Sequence, residues 1–179
     1  MTATASTRPR PSAATLAALR GLQEILDTQA EGYRRLLVTI DRQRDAIRNA
    51  ELASVPEIAE VQQKIVGRLQ MLDERREAAG RELATAMGID PDSSVSTIAA
   101  VLPIAAADRL EVRAAELREL VERSRREQSL LKSAGEALAR HMAGIVQSVT
   151  GALSGTGVYG RRGRLREGAP LVAGIDLTS

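Results

Sequence analysis

Residues 155–160, Gly-Thr-Gly-Val-Tyr-Gly, reproduce letter for letter the Gly-x-Gly-x-x-Gly spacing that lets a backbone approach a dinucleotide pyrophosphate. That turn works only between a strand and a helix whose N-terminus faces the phosphates. Here a long helical pattern precedes it and only residues 161–179 follow, so no nucleotide cofactor is implied. The chain has one histidine, His141, and no cysteine, which leaves no ligand set for a zinc ion and no disulfide. A lone histidine at such a position reads as a surface residue. Carboxylates are plentiful, but pairs such as Asp73 with Glu77 and Glu116 with Glu119 sit among arginines at helix-pair spacing and read as solvated faces. No nucleophile, base and orienting group can be assembled. The residues point away from an enzyme and from any catalytic, cofactor or metal site.

The elements that carry these residues are long helices. From Ile104 to Thr150, Leu110, Leu117, Leu131, Leu138 and Ile145 recur at seven-residue steps interrupted by Ser124, with Ala114, Val121, Met142 and Val149 in a second row. Such a helix spans roughly 70 Å and needs partner helices along its length. Ser12 suits an N-cap for a first helix, running to about Ala53, whose stripe is Leu19, Leu26, Tyr33, Ile40 and Ile47 beside Leu16, Ala30 and Leu37. Ser54-Val55-Pro56-Glu57 predicts a stop and a restart through a capping box, giving either a hairpin or a kinked rod. The second helix carries Ile58, Ile65, Leu72 and Ala79 beside Val55, Leu69 and Leu83, and ends near Met87-Gly88. Turn residues 89–94 lead into a short helix between Val95 and Leu102 that Pro103 closes. Gly135, inside the long helix, is expected to permit a close helix approach or a bend.

Aromatic content is 1%, with neither Phe nor Trp, so a thick core is excluded. Ala, Leu, Ile and Val fill the thin seams between long helices instead. The predicted fold is all-α: an elongated antiparallel, coiled-coil-like bundle of three long helices plus a short connecting helix. Residues 1–11 are expected to be a disordered N-terminus, 12–150 the helical domain, and 151–179 a flexible tail rich in Gly and Arg. The excess positive charge lies in the two ends, through Arg8 and Arg10 and through Arg161, Arg162, Arg164 and Arg166, while the helical body is slightly acidic. That distribution argues against nucleic-acid binding by the helices. The sequence offers neither a signal-peptide core nor a membrane-spanning run, which predicts a cytoplasmic protein.

Three stretches carry a family resemblance: Met87-Gly88-Ile89-Asp90-Pro91 leading into Val95-Ser96-Thr97-Ile98; Gln128-Ser129-Leu130-Leu131 followed by Ser133 and Leu138; and Val158-Tyr159-Gly160-Arg161-Arg162-Gly163. Together with the order of helices, they resemble the FlgN-type flagellar export chaperones from about Leu16 to Gly163. Where members of that family carry a pair of asparagines ahead of the double leucine, this chain has Arg125 and Gln128, so contacts made by those asparagines are not carried over. The resemblance implies a cytoplasmic chaperone that binds amphipathic helices of hook–filament junction (hook-associated) proteins before their flagellar type III export, and that meets the export apparatus.

The expected client site is a groove on the last third of the long helix formed by Leu130, Leu131, Leu138, Met142, Ile145 and Val149, flanked by Lys132 and Arg140. Apolar helical stripes in excess of what a thin core buries suit a helix-binding protein, and Met suits an adaptable surface. The same rows also suit packing against the first two helices, above all at Leu131 and Leu138. Tyr159 and Gly160 are the expected docking point for the export machinery. A structural coiled-coil protein that oligomerises through the same stripes is the alternative, and the sequence leaves the oligomeric state open.

Overall fold

The computed structural model describes residues 11–155, and among these the only regular elements are helices. They are α1 (Ala13–Arg48), a single 3-10 turn (Leu52–Ser54), α2 (Val55–Ala86), α3 (Val95–Val101) and α4 (Ile104–Gly155). The expected all-α bundle of three long helices and a short connector is what forms. Residues 1–10 and 156–179, with the expected disordered N-terminus, most of the expected tail and the docking residues Tyr159 and Gly160, lie outside the described residues.

Local chemistry sets most of the helix ends. Ser12 caps α1, its side chain accepting the Thr15 backbone N–H at 3.1 Å, and Ser94 caps α3 in the same way through Thr97. α2 ends as expected in a glycine cap: Gly88 has φ +71°, and the Ile89 and Gly88 N–H groups donate back to the Ala84 and Thr85 carbonyls. α1 stops five residues before the expected Ala53, and by the same geometry. Glu51 N–H donates to the Ala46 carbonyl and Ala50 N–H to that of Ile47, with Ala50 itself at φ 59° in the left-handed region. No glycine marks this end, so no residue type signals the stop there. The predicted capping box does not form either. Ser54 already has helical backbone angles and its hydroxyl donates to the Glu51 carbonyl, so it belongs to the 3-10 turn and caps nothing; Pro56 in the first turn supplies the restart.

α1 and α2 form an antiparallel hairpin rather than a kinked rod. Thr15 Oγ1 donates to the Ala86 carbonyl, Gln29 Nε2 to Asp73 at 3.0 Å, and Gln62 Nε2 to Gln43 at 2.8 Å, so the partner number falls as the α1 number rises. α4 runs parallel to α1. Asp27 pairs with Arg113, Arg34 with Glu116 and Arg44 with Glu127, partners 82–86 residues apart. In that register α1 reaches its last residue, Arg48, about level with Leu131.

The core is in two parts. The larger cluster joins Leu19, Leu22 and Leu26 of α1, Leu83 and Ala84 of α2, Ile98 and Ala99 of α3 with its C-cap Leu102, and Ala106, Ala107, Leu110 and Leu117 in the first part of α4. The smaller is Leu36, Ile40 and Leu69, with Ile65, Val66 and Leu131 against it, and Tyr33 touches both. The α1 stripe is therefore broader than its seven-residue row: Leu22 and Leu36 are buried, whereas Leu16, expected in the second row, is 42% exposed. Gly32 allows the close approach of α1 and α2, since a Cβ there would stand 2.8 Å from Leu69 Cδ2. Gly135 serves no such purpose, as nothing lies within 4 Å of its absent Cβ. The described residues divide into two compact units between Ser133 and Ala134.

Candidate partner-binding site

α4 carries an unbroken alternation of three- and four-residue steps through Leu110, Ala114, Leu117, Val121, Ser124, Gln128, Leu131, Gly135, Leu138, Met142, Ile145, Val149 and Ala152. Its two halves meet different environments. Leu110, Ala114, Leu117 and Ser124 are buried, and Val121 and Leu131 are half-buried against the core clusters. Ser124 breaks the apolar row at a cost, for its hydroxyl is buried without a hydrogen-bond partner.

In the unit that begins at Ala134, Leu138 is half-buried and every residue from Ala139 to Ala152 is exposed. Met142 is 50%, Ile145 47%, Val146 63% and Val149 52% exposed. On a helix these four fall on one side, because 142, 145, 146 and 149 are separated by three and four residues. The flanking positions Ala139, His141 and Ser148 are small or neutral, so no fixed charge stands beside the row. An apolar face of this kind, carried by one helix, is what a partner's amphipathic helix can cover.

The six residues expected to form the client site therefore separate. Leu138, Met142, Ile145 and Val149 share a face. Leu131 packs against Leu36, Ile40 and Leu69, and Leu130, one position earlier and so turned away by about 100°, is 65% exposed. What the exposed residues after Ala134 form is a helix face. Val146 belongs to it and was not singled out in the sequence, although its position four residues after Met142 was the available signal.

The groove is elsewhere. An open cleft of about 820 Å³ lies between α2 and α4 with α1 as its floor, closed at one end by residues 91–96. Leu22, Leu26, Tyr33, Ile98, Leu117 and Val121 supply apolar lining, and Asp73, Arg76, Glu77, Arg81, Arg118, Glu122 and Arg125 form the rim. Tyr33 is the only aromatic among the described residues. Desolvation, followed by the nearby Asp73 carboxylate, pushes its hydroxyl above the ordinary tyrosine range, so it stays neutral and able to donate. Sequence periodicity put Tyr33 on a seam but could not show that the fourth side of the bundle is open.

Among the described residues no group of three His, Cys, Asp or Glu side chains is placed to hold a metal, and no helix is long and apolar enough to cross a membrane. Two of the carboxylates weighed as solvated faces have structural partners: Glu116 pairs with Arg34, and Asp73 accepts from Gln29 and Arg76.

Comparison with known proteins gives one match. Neither the curated proteins nor the solved structures contain a match to the chain. The family model described as FlgN protein matches residues 18–167, which takes in α1 to α4 almost whole and continues past the described residues. With most of its length matched, three long helices and a connector in the order the resemblance implied, the chain belongs to the FlgN family of flagellar export chaperones.

Proposed function

We propose that this protein binds amphipathic helices of hook–filament junction subunits in the cytoplasm, on the α4 face of Leu138, Met142, Ile145, Val146 and Val149. It holds them for type III export and does no chemistry on them. The observation that carries the reading is the exposed apolar face on a stretch of α4 where every residue from Ala139 to Ala152 is exposed, in a chain of an export-chaperone family. Docking to the export apparatus is assigned to Tyr159 and Gly160, on the strength of the resemblance.

Energetics favour a releasable complex. Met142, Ile145, Val146 and Val149 are each about half exposed, so covering them gains about 3–6 kcal/mol, half of what full burial would give. Association and ordering cost at least about 4 kcal/mol. The four side chains alone therefore come close to break-even, and a stable complex recruits Leu130, Leu138 or a second contact. A chaperone that must let go of its client has reason to stay near that balance.

The reading is tested by replacing Met142 and Val149 together with Asp. Binding of the junction subunits is abolished while helicity by circular dichroism is unchanged. Binding that survives the double substitution contradicts the assignment of this face.

A further inference from the structure

The cleft between α2 and α4 belongs to no part of that reading. We propose that it is a second docking site, which takes an amphipathic helix of a partner protein with acidic residues along the edge that meets α4. Three features carry the inference.

The cleft is the open side of a three-helix bundle and has an apolar floor, so three helices present a seam to an absent fourth. That floor holds Tyr33, the one tyrosine among the described residues, half-buried with its neutral hydroxyl available. Tyrosines in such positions are frequent anchors of helix recognition.

The rim then selects the occupant. Arg118 and Arg125 are both exposed, and neither is within ion-pair distance of a carboxylate among the described residues; the same holds for Arg81 on the opposite wall. Glu122, the cleft-lining acid between the first two, is paired with Arg126. Arg118 and Arg125 stand two helical turns apart, about 10.5 Å along α4, so a helix lying beside it meets them with acids seven residues apart. The α2 wall is mixed, with Asp73 held by Arg76 and Gln29, and Glu77 beside Arg81. One acidic edge and one mixed edge thus fix the direction in which a helix can lie.

Charge also rules against occupants from the chain itself. The N-terminal segment carries Arg8 and Arg10, residues 161–166 carry four arginines, and residues 134–152, the apolar face of a second copy, offer one acid, Glu136, against Arg140. None presents two acids seven residues apart.

The chain is free of cysteine, so a single introduced thiol reports from one place. Ser96→Cys puts an environment-sensitive dye in the cleft and Ser148→Cys puts one beside the α4 face. The probe is an 18-residue helical peptide, stapled on its outer side, with Leu on one face and two Glu seven residues apart on one edge. A second version has Lys in their place. On the full-length protein, the Glu peptide saturates the Ser96→Cys signal at one equivalent and binds about fivefold or more tightly than the Lys peptide, as two exposed ion pairs allow. Arg118→Glu with Arg125→Glu inverts that preference, and because neither arginine is paired the double variant keeps its helicity. Equal affinity for both peptides, a preference untouched by the charge reversal, a signal confined to Ser148→Cys, or no signal would each overturn the proposal. None of these outcomes overturns the reading of the α4 face, whose test uses other substitutions and another ligand.

Discussion

At the residue scale, two positions hold the backbone or a polar group in a state the fold does not favour. Ala50 occupies the left-handed region that ends α1, where glycine avoids the crowding of Cβ against the carbonyl. Ala50→Gly is expected to raise stability by about 1 kcal/mol, and Gly88→Ala, at the matching end of α2, to lower it by about the same, both read from urea unfolding midpoints. Ser124 is 2% exposed with no partner for its hydroxyl. Ser124→Ala removes an unsatisfied buried group and is expected to gain about 1 kcal/mol. A loss instead would show that the hydroxyl has a partner in solution, such as a trapped water. These positions also mark where sequence reading stops. Gly88 announced its helix end because its residue type matches its backbone, whereas Ala50 does the same work with a residue that announces nothing.

At the element scale, α4 does two jobs with one pattern. Its three-four alternation runs from Leu110 to Ala152 without a change of period, yet the first part is core and the last part is surface. Periodicity reports that a row is apolar, not whether a neighbour exists to cover it. For that reason the existence, order and approximate ends of the helices were legible, and so was the row that holds Met142, Ile145 and Val149. The division of Leu131 from Leu138 was not, because it depends on where α1 runs out, and that end is set by Ala50 rather than by a readable signal. The open cleft was hidden for the same reason, since a missing neighbour leaves no mark on the helices that line it. The two halves of α4 should respond oppositely to substitution. Leu110→Ala, fully buried between α1 and α3, is expected to cost about 2–5 kcal/mol. Val149→Asp is expected to stay within about 0.5 kcal/mol of the parent. Chemical denaturation of the two variants checks both, and a Val149→Asp cost comparable to that of Leu110→Ala would make the end of α4 part of a core.

At the scale of the whole molecule, an aromatic-poor chain with 27% charged residues builds thin seams between long helices and leaves apolar surface over. That surplus suits the proposed binding of a partner's helix, in which the partner would supply the missing packing and could withdraw it. Client binding is proposed for the helices, and docking to the export apparatus for the Tyr159 region. Isothermal titration of purified hook–filament junction subunits into the full chain, in parallel with a form ending at Thr150, tests this most directly. Both forms are expected to bind one subunit per chain with the same affinity. No heat with any junction subunit, or binding lost on removal of residues 151–179, would contradict it.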